Sequence, residues 1–313
     1  MAQSSSFMIR AADGWPLKLH HIPAVSDSRG VVLMTHAMMA DHRSLDKPAG
    51  KGFGSFFASR GWEVYLADYR GHGSSETSDA NESSWDYHEL VRFDFPVMVE
   101  TLRSRHPDLK LCAAGQSLGG HVSVASHGAG YLENPPDMYL LLSTNIWKPS
   151  LDSSFFRRAL KTWNLAVFQG ATQVLGKFPA KALGLGTADA ALQYVRDLCG
   201  FWWRDSWGNE SEGVDYAAGL KNIESPILSV VGRGDRLMAH HSSAEAWAKL
   251  FDPGLCTFWS VGRGDHRLSF DPAHMSITTD PRARSLWAAM EYFVSDRLEI
   301  SQEVGPRRGD DGR

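Results

Sequence analysis

Residues 111–121 read LCAAGQSLGGH, an apolar run that ends on a single serine set among small residues. Leu111, Cys112, Ala113 and Ala114 have the character of a buried strand, whereas GQSLGG has that of a tight turn, so the stretch joins two environments. Beyond it, LGGHVSVASHGAG keeps small residues at helical spacing. A strand over 109–114 and a helix over 118–128 place Ser117 on the turn between them. GQSLG fits G-x-S-x-G, in which glycines clear away side chains that would crowd a nucleophilic serine on a strand-to-helix turn. The pentapeptide recurs by chance in many chains; the strand before it and the helix after it give it weight here. The structural alternative, a helix N-cap serine, is disfavoured by the buried strand that precedes it.

A hydroxyl is a poor nucleophile unless a base takes its proton and an acid orients that base. SPILSVVG ends in RGDRL, which puts Asp235 just past the C-terminal end of a strand, where the loops of open α/β sheets gather. The competing reading is an ordinary turn aspartate after Gly234. Two late histidines are candidate bases: His274 in DPAHMSITTD and His266 in GRGDHRLSF. His274 is favoured because it lies in a loop ahead of the last helix, while His266 follows the strand directly between charged residues. The second VGRGD, ending at Asp265, sits where the histidine should be delivered, which argues against Asp265 as the acid. The remaining histidines, His88, His121, His127, His240 and His241 among them, are expected to cap, pack or face solvent. A tetrahedral intermediate further needs two donors, worth roughly 3 to 4 kcal/mol each. The Leu118 amide is one, and the loop THAMMADHR supplies the other, with Met38 preferred over Ala37 and Met39.

Around this centre, short apolar runs alternate with segments of helical period, the pattern of an α/β fold with a mostly parallel sheet flanked by helices. A hairpin turns at Asp13-Gly14; strands are expected over 31–36, 62–68, 138–143, 226–232 and 256–261, and helices over 45–60, 87–105, 243–251 and 281–297. The strand rhythm lapses over 148–222, which reads as a helical insertion too aromatic to stay solvated, dividing a core of 1–147 and 223–299. The end, 300–313, is expected to be a disordered tail.

The 313 residues are 43% hydrophobic and 22% charged with net charge −4, ordinary globular usage that offers nucleic acid no basic footprint. Cys112, Cys199 and Cys256 are too few and scattered for a disulfide framework or a zinc site. No leader-like start and no apolar run of spanning length is visible, so a cytoplasmic protein without an integral membrane segment is expected. For the same reason the RGD tripeptides are not read as an adhesion motif.

Together, LMTHAMM, VYLADYRGHGSS, GQSLGGH and the late Asp235 and His274 resemble the α/β-hydrolase superfamily, in particular its cap-bearing esterase, lipase and serine-aminopeptidase-like branches. The resemblance runs from the first hairpin to the last helix. It implies that Asp68, Arg70 and His72 shape a loop beside the active site as scaffold, and that 148–222 is a cap roofing the pocket. Ala37 departs from the pattern, since many members have glycine there. A serine nucleophile implies attack on a carbonyl through an acyl-enzyme. Phe155, Phe156, Trp163, Phe168, Phe178, Phe201, Trp202, Trp203 and Trp207 are the aromatic candidates for an apolar pocket, with roughly a third expected to face it and the rest to form the cap's own core.

The expected function is a cofactor-free, metal-free serine hydrolase acting on a small-molecule carboxylic ester with an apolar acyl group, amides and thioesters being lesser choices. Ser117 attacks, His274 shuttles the proton, Asp235 orients His274, and the Leu118 and Met38 amides hold the oxyanion. An acyltransferase with the same triad is the nearest alternative. A catalytically silent hydrolase fold used for binding is the second.

Overall fold

In the computed structural model, residues 4–76 and 84–300 are described. Eight strands form one sheet: β1 (Ser5–Arg10), β2 (Pro16–Ile22), β3 (Gly30–Thr35), β4 (Trp62–Asp68), β5 (Leu111–Gln116), β6 (Met138–Leu142), β7 (Ile227–Gly232) and β8 (Cys256–Val261). Their spatial order is β1-β2-β4-β3-β5-β6-β7-β8. The hairpin β1–β2 and the β2–β4 pair are antiparallel, and every other pair is parallel. Both faces of the central strands are apolar. Val31 and Leu33 join one core cluster while Val32 and Met34 join the other, as a sheet covered on both sides requires.

From β3 the chain steps to β4 on one side and then returns to β5 on the other. This reversal opens a crevice at the C-terminal ends of β3 and β5, whose register pairs Thr35 with Gly115. The loop after β3 and the turn after β5 therefore meet.

Two expected elements differ. The helix expected over 45–60 is broken into a short turn, His42–Asp46, and the helix Phe53–Ala58. Pro48 lacks an amide to continue the ladder, and the Asp46 carboxylate instead accepts from the Gly50 and Ser55 amides, both at 2.8 Å. The strand expected at 109–114 starts two residues later, because the Leu109 amide closes a turn onto the His106 carbonyl. The helical stretch 87–105 is continuous but widens to π geometry over Leu90–Asp94, just ahead of Pro96, whose missing N–H cannot serve an α ladder.

Between β6 and β7 the helices Phe155–Leu175 and Leu192–Trp203 pack together. This stretch is not wholly helical: Lys177–Phe178 pairs with Ala190–Ala191, and Gly208–Asn209 with Val214–Asp215. Among the described residues no helix is long and apolar enough to cross a membrane. Of the expected tail, 301–313 lies outside the described residues, while the Ile300 amide still bonds the Ser295 carbonyl.

Candidate active site

Ser117 stands between β5 and the helix Leu118–Gly128 with φ 51° and ψ −110°, a left-handed conformation that costs a residue with a Cβ on the order of 1–3 kcal/mol. The surroundings hold it there. Its amide donates to the Leu142 carbonyl at 2.9 Å, and its own carbonyl accepts from the Gly120 amide at 3.0 Å. A methyl at Gly115 would meet the Gly120 backbone, and one at Gly119 would meet Thr35, so only glycine lets strand and helix approach this closely.

Asp235 follows β7 and is buried. Its carboxylate accepts from the Met238 amide at 2.9 Å and the Ala239 amide at 2.8 Å, and from His274 Nδ1 at 2.6 Å. The last bond puts the imidazole proton on Nδ1 and leaves Nε2 as the basic nitrogen. Burial pushes the Asp235 carboxyl up, but the hydrogen bond and charge of His274 and the backbone donors outweigh it, holding the group below the ordinary carboxylate value. The loop carrying His274 is held against that of Asp235: the Gly234 amide donates to the Pro272 carbonyl at 2.9 Å, and a side chain at Gly232 would collide with Pro272.

Ser117, His274, Met38 and Leu118 all line one cavity of about 580 Å³, whose walls also include Ile146, Leu165, Phe168 and Met238. Among the described residues, neither the Met38 nor the Leu118 amide donates to another group. The loop after β3 is shaped by buried His36. Its Nδ1 donates to the Ala37 carbonyl at 2.9 Å, and its Nε2 accepts from the Tyr69 amide at 3.2 Å. Burial lowers its pKa and keeps it neutral for both roles. The positive φ of this loop falls at Met39, 59°, and not at Ala37, so the methyl group at Ala37 meets no left-handed constraint.

A family model described as serine aminopeptidase, S33, matches residues 26–272. The chain belongs to this hydrolase family. The S33 chain is 29% identical over 129 residues to Lipase member N of Mus musculus, covering 37% of this chain and 32% of that protein, so the match spans about a third of the relative's length. It is 23% identical to a 2-hydroxy-6-oxononadienedioate/2-hydroxy-6-oxononatrienedioate hydrolase of Burkholderia vietnamiensis, over 84% of this chain and 86% of that one. A soluble variant of monoglyceride lipase from Saccharomyces cerevisiae, solved with a substrate analogue, superposes with TM-score 0.69 at 14% identity, covering 97% of each chain. The fold of the S33 chain is the α/β-hydrolase fold.

His266 is outside this site. It is exposed, in a turn with φ 45°, and stacks on Trp259 with ring centroids 4.8 Å apart. Asp265 beside it pairs with Arg233 at 2.6 Å. Of the nine aromatic candidates, Phe168 and Phe178 line the cavity. Phe201, Trp202 and Trp207 are core, while Phe155, Phe156, Trp163 and Trp203 are exposed. Helical spacing alone does not tell which side of an inserted helix finds a partner.

Three contributors carried no sequence signal. Gln116 Nε2 donates to the His274 carbonyl at 3.2 Å, and Gln116 Oε1 accepts from the Thr278 hydroxyl at 3.0 Å, tying the residue before Ser117 to the histidine loop. Asn145 lines the cavity with its Nδ2 buried and unpartnered among the described residues. His121 also lines it, with Nδ1 2.9 Å from the Tyr87 hydroxyl, and burial pushes its pKa down to about 3, so the ring is neutral. The first is an unspecified position of the motif; the other two depend on what folds over them.

Asp68, Arg70 and His72 are buried, and the His72 ring lies 4.8 Å from that of His36, but none of the three lines the cavity. Arg70 bonds Asp94 at 2.6 Å and Asp13 at 2.8 Å, and His72 Nδ1 donates to the Arg70 carbonyl at 2.8 Å. His20, His42 and Asp68 offer ligand atoms within 4.8 Å of one another, a spacing that suits a metal ion. The Asp68 carboxylate is, however, already filled by the His42 and Ser74 amides at 2.8 and 2.9 Å and by both imidazoles. Such saturation is the chemistry of a scaffold.

Proposed function

We propose that this S33-family chain is a serine hydrolase that cleaves a carboxylic ester of a hydrophobic substrate through an acyl-enzyme. The observation that carries the reading is the opening of Ser117 and the His274–Asp235 pair onto one apolar cavity. Ser117 Oγ attacks the ester carbonyl as its proton passes to His274 Nε2, while Nδ1–H keeps its bond to Asp235. The Leu118 and Met38 amides receive the developing oxyanion. The intermediate collapses with loss of the alcohol, which takes the proton from His274, and water repeats the sequence to free the acid.

The substrate class follows from the walls. Among the described residues no lysine or arginine lines the cavity, so no described cation there would neutralise a dianion, and the dioate named for the Burkholderia relative fits poorly. Apolar side chains with Asn145, Asn164 and His121 as polar points suit a neutral ester with an aliphatic or aromatic acyl group. In this reading 148–222 is a cap, supported by Phe168 and Phe178 on the cavity wall.

The test is turnover of a graded series of p-nitrophenyl esters with fluorophosphonate labelling. Wild type is expected to label and to turn over, releasing the free acid, and Ser117→Ala to do neither. Wild-type turnover by Ser117→Ala would refute the assignment.

A further inference from the structure

His121 is a polar side chain on the cavity wall that the mechanism above leaves idle. It stands four residues after Ser117 on the helix Leu118–Gly128, and its amide donates to the Ser117 carbonyl at 3.2 Å. That spacing puts the two side chains on one face, with Cβ atoms about 5 to 6 Å apart.

Counting protons fixes which nitrogen of the ring carries the hydrogen. Trp207 Nε1 can only donate, and it donates to the Tyr87 hydroxyl at 3.2 Å. Tyr87 is fully buried, and its hydroxyl has one further partner among the described residues, His121 Nδ1 at 2.9 Å. The phenol therefore gives its own proton to that nitrogen, since any other arrangement leaves a buried O–H unpaired. Nδ1 is an acceptor, and in a ring that burial keeps neutral the hydrogen sits on Nε2. No described group accepts from Nε2, yet it is not one of the sealed, unpartnered polar atoms of the interior, so its N–H is offered to the cavity.

The rest of the wall makes this donor selective. Trp147 commits its indole N–H to the Met238 carbonyl at 2.7 Å, and the Tyr194 hydroxyl and Asn145 Nδ2 are themselves buried. Asn164 carries a donor and an acceptor on one rotatable amide and does not discriminate between them. His121 alone among these presents a donor of fixed polarity, in an apolar enclosure where an unpaired N–H is costly. A hydroxyl would also accept this bond but needs an acceptor for its own proton; a keto or ether oxygen needs none.

We propose that His121 determines specificity, its Nε2–H holding a keto or ether oxygen that the substrate carries about one helical turn from its scissile carbonyl. The position of that carbonyl rests on the ester-hydrolase reading above; the donor does not.

The experiment compares p-nitrophenyl heptanoate with its 4-, 5- and 6-oxo analogues, and heptyl acetate with the corresponding oxoheptyl acetates, so that the oxygen is presented from either side of the ester. Wild type is expected to turn over at least one oxo ester with kcat/KM at least about tenfold above its plain parent. Ser117→Ala is expected to bind that same ester at least about tenfold more tightly than the parent, read from tryptophan fluorescence. The turnover preference should vanish in His121→Leu and return in part in His121→Gln, whose amide restores a donor. Nitrogen-15 spectra of the wild-type protein at neutral pH should show His121 protonated on Nε2 and bare on Nδ1, a reading that stands whether or not His121→Leu folds. A folded His121→Leu that keeps the preference, a wild type without preference in either series, or a hydrogen on Nδ1 would overturn the proposal. Hydrolysis without preference would leave the ester-hydrolase reading intact; preferential binding by Ser117→Ala with no hydrolysis by wild type would remove that reading and leave the donor standing.

Discussion

Gln116 donates its amide to the carbonyl of His274 at 3.2 Å, so the residue next to the candidate nucleophile holds the loop of the candidate base. The two are separated by 158 positions, and the bond fixes the distance between β5 and the histidine loop without touching either reacting atom.

Gln116→Leu removes this tie and leaves the Thr278 hydroxyl only its bond to the Met275 carbonyl at 3.1 Å. We expect kcat on a soluble ester to fall by about ten- to a hundredfold with KM little changed, since small misplacements of catalytic groups cost that much. Wild-type kcat in a folded Gln116→Leu protein would show that the loop needs no such anchor.

Ser117 stores backbone strain that glycine does not feel. Ser117→Gly should be inactive yet about 1 kcal/mol more stable than Ser117→Ala, the relief of a positive φ exceeding the entropy that glycine adds to the unfolded chain. Urea melts of the two variants measure the difference; equal midpoints would mean that the turn is unstrained.

The two late histidines separate in a direct comparison. His274→Ala should lose nearly all turnover, while His266→Ala, which gives up only a surface stack on Trp259, should keep wild-type rates and melt within about 1 kcal/mol of wild type. The opposite pattern would move the base to the other loop.

Asp235 links the site to acid stability. Its folded pKa is depressed, so its contribution is present above the unfolded carboxylate pKa of about 3.9 and is lost as pH falls through the folded value. Asp235→Asn should therefore be less stable than wild type at pH 7, with the gap narrowing on acidification below about pH 4. Its kcat should drop by roughly three to four orders of magnitude, as expected when the orienting charge is lost. Thermal melts across pH and ester turnover read the two effects; parallel melts at every pH would separate Asp235 from the charge on His274.

Much of this was legible in local patterning. Alternating and continuous apolar runs marked the eight sheet strands to within about two residues, because a strand buried on both faces has few other compositions open to it. Small residues on both sides of Ser117 announced a close strand–helix approach, and in the structure Gly115 and Gly119 leave no room for a side chain. The break in the helix at 45–60 was also written in the chain, at Pro48, which lacks the amide a continuous α ladder needs.

Tertiary structure decided the rest. His266 and His274 differ by eight positions and by no local signal that bears on reach; the packing of Gly232 and Gly234 against Pro272 brings one of them to Asp235 and leaves the other on Trp259. The aromatic residues of 148–222 likewise share one composition and three fates, core, cavity wall and open surface, because which side of a helix is covered depends on where its neighbours lie. Sequence alone determined the period of each element and the residue on its sharpest turn, since both obey short-range sterics. The meeting of Gln116, Asp235 and His274 depended on the order of strands in the sheet, which short-range sterics do not encode.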